Sequence, residues 1–106
     1  MSKVKLKDYV VEILQKKGIH DFFGYQGTMI AHLVDSIEKN PHVRSHSSYH
    51  EQGAAFAACG YAQAKNACGC AYATSGPGAA NLLSGVADAY FDSLPVIFIT
   101  GQLNTY

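Results

Sequence analysis

A single carboxylate, Glu51, stands at the head of the segment "HEQGAAFAACGYAQA", which is otherwise built almost entirely from small and apolar residues. An acid that only solvates a surface needs no such surroundings. An acid that exchanges a proton with a ligand in a dry place does. At the start of a helix the dipole favours the ionised form, while apolar neighbours such as Ala54, Ala55 and Phe56 favour the neutral one. On spacing alone, Glu51 is also compatible with an acid that merely stabilises the first helical turn. The neighbouring His50 points elsewhere, because adjacent residues on a helix do not share a face. It reads as polar packing, with a site role as the alternative.

A second stretch, "TSGPGAAN", has the features of a turn that meets a ligand. Gly76 and Gly78 permit close backbone approach. Pro77 sets φ at the start of a helix, and the first-turn N–H groups are free to point outward. Asn81 falls one turn further on. Phosphate cradles normally add a lysine or a longer glycine loop. Neither is present, so a neutral heterocycle suits the turn as well as an unliganded strand-to-helix connection does. "FGYQGT" is a weaker glycine turn carrying Gln26 and Gly27, and "ITGQ" leaves Gln102 beyond a strand.

These residues are positioned by an alternating pattern. Apolar residues at helical spacing predict helices over 5–18, 27–41, 50–66 and 78–93. Strands are expected over 19–25, 42–48, 68–74 and 94–101. The last of these, "LPVIFITG", shows no polar alternation and is expected to be buried on both faces. Helix–strand alternation implies an α/β fold, a parallel sheet flanked by helices on both faces. Right-handed crossovers bring every strand-to-helix turn to one edge, and open α/β sheets bind ligands there. The turns are 24–28, 47–51, 74–78 and the one that begins at Thr100, and all the unusual chemistry falls in them.

The chain has 106 residues, 48% hydrophobic and 15% charged, with no net charge. It therefore lacks the basic footprint of a nucleic-acid binder. Thirteen of its sixteen formal charges lie in residues 1–51, and only Lys65, Asp88 and Asp92 follow. An uncharged second half belongs inside a larger body or against a partner. The small residues Gly53, Ala54, Ala57 and Gly60 suit either a core or a subunit interface, as does helix 78–93. No apolar run is long enough for a membrane span and no signal-peptide core is evident; the expected location is cytoplasmic. Cys59, Cys68 and Cys70 show no finger-like spacing with histidines and read as buried free thiols. No metal site is expected in this chain.

"HEQGAAFAACGYAQA" followed by "ATSGPGAANLLSGVADAYFDSLPVIFITGQ" closely resembles the N-terminal pyrimidine-binding domain of thiamine-diphosphate-dependent enzymes, the acetolactate synthase group above all. The resemblance implies an incomplete doubly wound domain, with 1–106 as its N-terminal part and the remaining domains outside this chain. It implies that Glu51 hydrogen-bonds the pyrimidine ring of thiamine diphosphate and promotes loss of the thiazolium proton, so that the cofactor attacks a 2-keto acid and carbon dioxide leaves. It places Gly76, Pro77 and Asn81 around the pyrimidine, and Gln26, Gly27 and Gln102 near substrate. Mg2+ and the diphosphate are held in the family by a separate domain, through a motif that this sequence lacks. Active sites there form between subunits, implying a homodimer or homotetramer, and the segment alone is expected to be inactive. Against the family pattern, Gln26 replaces a proline, Phe56 a histidine, and 59–63 reads Cys-Gly-Tyr-Ala-Gln. Another lyase or transferase of 2-keto acids fits equally well. The alternative is a non-catalytic module for subunit association.

Overall fold

The computed structural model describes residues 3–103, so the turn that begins at Thr100 is covered as far as Leu103. The elements follow the expected order: α1 (Leu6–Lys16), β1 (Asp21–Gly24), a 3-10 turn (Thr28–Ile30), α2 (Ala31–Lys39), β2 (Arg44–Ser47), α3 (Glu51–Lys65), β3 (Gly69–Ala73), α4 (Pro77–Asn81), α5 (Leu83–Phe91) and β4 (Val96–Thr100). The expected helix over 78–93 is divided at Leu82, which lies between α4 and α5. Gly18, at φ +92°, follows α1, and Asn66, at φ +50°, caps α3; both use the left-handed conformation that commonly ends helices.

All strand pairs are parallel, in the order β2-β1-β3-β4. Successive side chains alternate across the sheet, so each strand feeds two cores. On one side Phe22, Cys70 and Tyr72 pack with Val11 of α1 and Ile37 of α2. On the other, Ala71 and Ala73 pack with Ala55 and Ala58 of α3 and with Leu82, joined by Phe23 and Phe98. This is the doubly covered parallel sheet that the alternation implied. The second core is made of alanines because α3 lies close to the sheet, where a Cβ on Gly69 would collide with the Ala58 carbonyl, and close to α5, where one on Gly85 would collide with Ala55.

Burial departs from the sequence reading in two places. Every residue of β3 is buried, whereas β4, expected to be covered on both faces, is only half-buried, with Ile97 and Thr100 exposed. The reason is strand order: β3 is central and β4 lies at the edge. In α1, Val11 is buried, but Leu6, Tyr9 and Ile13 face outward. The contact with α2 is finished by polar pairs instead, Lys7 with Asp35 and the Ser36 hydroxyl with Asp8 Oδ1.

Candidate functional site at the carboxyl edge of the sheet

After β2 the chain crosses over β1 and continues on its far side as β3. The strand order therefore reverses between β1 and β3, and the crevice beyond their carboxyl ends is where such sheets receive ligands. The segments meeting there are 25–30 after β1, the start of α3 after β2, and 74–78 after β3.

Glu51 is the first residue of α3 and is half-buried. The capping task falls to His50, whose Nδ1 accepts the Gln52 N–H at 3.1 Å. The Glu51 carboxylate is thus free to reach across the crevice, where Asn81 Nδ2 donates to Glu51 Oε2 at 3.0 Å. Asn81 is the last residue of α4, which Pro77 opens at its first position. Gly76 precedes it at φ +67° and ψ −127°, a conformation that side chains resist. A Cβ there would meet nothing within 4 Å, so the glycine serves backbone geometry rather than crowding, and the space beside it stays open. Gly78 is buried, and a Cβ on it would lie 3.5 Å from Glu51 Oε1.

The structure brings Glu51, Gly78 and Asn81 together. Gly76 and Pro77 are exposed at the rim. Gly27 sits against Thr74, while Gln26 and Gln102 are exposed at the same edge and make no side-chain hydrogen bond to the Glu51–Asn81 pair. Thr74 was not singled out by sequence. Its Oγ1 accepts the Met29 N–H at 3.2 Å and its side chain touches the positions of both Gly27 and Gly78. Hydroxyl residues are common in turns, so the only sequence signal was its place directly after β3.

A second cluster escaped the sequence reading. Asp21, 5% exposed at the start of β1, receives Arg44 Nε at 3.0 Å and Arg44 NH2 at 3.2 Å, and His46 Nε2 lies 2.8 Å from it. Burial alone would raise the Asp21 carboxyl, but the hydrogen bonds with His46 and Arg44 outweigh it and hold the group below its usual range. The His46 ring stacks on Phe23 with centroids 4.8 Å apart. This cluster opens the β1–β2 pair at the amino end of the strands, away from Glu51. A groove of 540 Å³ between α1 and α2, floored by Val11 and Ser36, likewise contains none of the candidate residues. Among the described residues, no group of three His, Cys, Asp or Glu side chains is arranged to hold a metal ion. No helix there is long and apolar enough to cross a membrane.

The lone carboxylate and the glycine-proline turn thus sit at the switch point of a parallel α/β sheet, the place where such sheets receive ligands. Residues 4–106 match the family described as thiamine pyrophosphate enzyme, N-terminal TPP binding domain, and the chain belongs to that family. It is 46% identical over 102 residues to the probable acetolactate synthase 2, chloroplastic, of Oryza sativa subsp. japonica, covering 96% of this chain. It is 45% identical over 96 residues to acetolactate synthase 1, chloroplastic, of Zea mays, covering 91% of this chain. It is 44% identical over 99 residues to acetolactate synthase 2, chloroplastic, of Nicotiana tabacum, covering 93%. The chain spans about 15% of the length of these curated relatives.

Proposed function

We propose that this chain supplies the cofactor-activating half of a thiamine-diphosphate-dependent lyase or transferase that acts on 2-keto acids, of the acetolactate synthase type. The observation that carries the reading is the Glu51–Asn81 contact across the switch-point crevice, beside an open backbone turn. The residues suit an aminopyrimidine ring: a half-buried carboxylate to pair with a ring nitrogen, an amide to hold that carboxylate, and glycines that leave a flat ring room to approach.

In this reading Glu51 holds and exchanges one proton with the pyrimidine. Asn81 fixes the carboxylate's orientation by occupying Oε2, which leaves Oε1 to face the ligand. Gly76 and Pro77 shape the rim, and Gln26, Gly27 and Gln102 form the substrate side. Held at its pyrimidine by Glu51, Gly76, Pro77 and Asn81, thiamine diphosphate would supply the nucleophilic carbon and the electron sink for decarboxylation of a 2-keto acid.

The same proposal assigns the diphosphate and Mg2+ to a further domain outside this chain, and a second subunit to completing the site in a homodimer or homotetramer. Support for that partner comes from the outer faces of α3 and α5: Phe56, Leu83 and Tyr90 are exposed, and Gly53 and Gly60 have open space where a Cβ would stand. The cytoplasmic location is carried as part of this proposal, while the relatives are named as chloroplastic.

The test uses the complete protein containing this segment, with thiamine diphosphate, magnesium and a panel of 2-keto acids. Glu51→Gln is expected to retain cofactor binding and to lose turnover by about 10²- to 10⁴-fold, the usual worth of a positioned acid–base group. Unchanged turnover rejects the assignment.

A further inference from the structure

We propose that Thr74 is a positioning residue that locks the substrate-side loop 25–29 against the cofactor-side turn 76–81. The proposal rests on the reading above for what the two segments bind, and on geometry alone for the lock itself.

Thr74 directly follows β3, at the point where the strand order reverses. Its hydroxyl and methyl engage different segments. Oγ1 accepts the Met29 N–H at 3.2 Å, which fixes the backbone in the middle of the 3-10 turn. Cγ2 faces the turn on the other side, where a Cβ on Gly78 would stand 2.8 Å from it. A Cβ on Gly27 would stand 2.5 Å from Thr74 Cβ, 2.7 Å from Cγ2 and 3.0 Å from Oγ1. The threonine is therefore wedged between two glycines from separate loops, each in a contact that tolerates no side chain. Immediately beyond Gly78 lies Glu51 Oε1, 3.5 Å from the same Cβ position. Met29 is also held from the opposite side, where a Cβ on Gly101 would be 2.7 Å from the Met29 carbonyl oxygen.

The β-branch makes the lock rigid. One χ1 angle sets both the hydroxyl and the methyl, and branching at Cβ restricts that angle. Moving the hydroxyl away from Met29 would swing the methyl out of its place against Gly78. Thr74 thus ties the spacing of the substrate loop to that of the turn carrying Asn81 through one side chain.

Substitutions in the complete protein separate the two arms. Thr74→Val keeps the branched shape and removes the acceptor. Hydrogen exchange at the Met29 amide is then expected to rise about three- to tenfold, the equilibrium value of one ordinary hydrogen bond. The KM for the 2-keto acid rises in parallel, with kcat and thiamine diphosphate affinity retained. Thr74→Ser restores the Met29 protection and the KM. The methyl arm is read from Gly78→Ala, which is expected to lower both the melting temperature and the thiamine diphosphate affinity. Adding Thr74→Ser recovers both, because the obstructing Cγ2 is gone. Thr74→Ser does not recover Gly27→Ala, whose collision is also with Cβ and Oγ1.

Met29 exchange unchanged in Thr74→Val overturns the proposal, as does a parental KM despite faster exchange, or a Gly78→Ala loss that Thr74→Ser leaves undiminished. If the unaltered protein binds no thiamine diphosphate, the functional reading fails on its own. The exchange and melting measurements then still decide whether Thr74 locks the two loops.

Discussion

The Asn81 side-chain amide donates to Glu51 Oε2 at 3.0 Å, joining the end of α4 to the start of α3 across thirty residues of chain. A hydrogen bond to a charged acceptor is worth about 1.5–3 kcal/mol, more than a neutral one. In the proposed site its use is orientation: it commits one carboxylate oxygen and leaves the other free. Asn81→Ala is expected to lower turnover by about 10- to 100-fold, by loosening Glu51 rather than removing it. The effect must act through Glu51, so the losses from Glu51→Gln and Asn81→Ala should not add. A double-mutant cycle on turnover in the complete protein measures this, and full additivity would show the two residues to be independent.

Gly76 makes a separate prediction, because its surroundings and its backbone give different answers. A methyl there would have free space, yet φ +67° with ψ −127° is a glycine conformation. Gly76→Ala should therefore destabilise the protein by about 1–3 kcal/mol through backbone strain alone. Thermal melting checks the size. Retention of the parental melting temperature would mean that the turn relaxes to another conformation.

The alternation of helices and strands was legible because each element carries its own periodicity, and Glu51, Gly76, Pro77 and Asn81 stood out as candidates because they are unusual in their local setting. What sequence did not disclose depends on which strands become neighbours. The apolar run 94–101 looked like a strand covered on both faces, but hydropathy belongs to the residues and exposure to the strand order, which leaves β4 at an edge. Thr74 was not singled out because Gly27 and Met29, which it meets, come from the loop after β1, and its contact with Gly78 depends on how its own turn folds. Asp21 was not singled out within the expected strand 19–25, since Arg44 and His46 reach it only through the β1–β2 pairing. His50 and Glu51 exchanged expectations in part: the histidine, held open as a site residue, caps the helix, which frees the acid from that task.

Asp21 gives a pH prediction with a definite sign. Its carboxyl is held below the ordinary value of 3.8 in the folded protein. Between the folded and unfolded values the unfolded chain binds more protons, so stability rises with pH. The contribution is fully present above the unfolded value and is lost as pH falls through the lowered folded one. Melting temperatures measured between neutral pH and about pH 2 should fall less steeply on the acid side for Asp21→Asn than for the parent protein. At neutral pH the variant should be the less stable of the two, because Arg44 and His46 lose a charged partner. Parallel acid limbs in the two proteins would show that the Asp21 cluster adds nothing to acid sensitivity.

The cysteines make the last prediction. Cys70 is fully buried in the core between the sheet and α1–α2, and burial, with a smaller effect from neighbouring Cys68, pushes its thiol up to about 12. Burial and the nearby Asp88 carboxylate push Cys59 up to about 11, and its Sγ donates to the Gly85 carbonyl at 3.5 Å. The thiolate is the reactive form, so neither residue should react with iodoacetamide near pH 8 while the protein is folded. Cys68 is only half-buried, although burial raises its thiol too, and it should be the first of the three to label as pH rises. Mass spectrometry of labelled peptides reads each site separately, and denaturant should expose all three. Labelling of Cys70 in the native protein ahead of Cys68 would mean that the core around Phe22 and Tyr72 opens more readily than its packing implies.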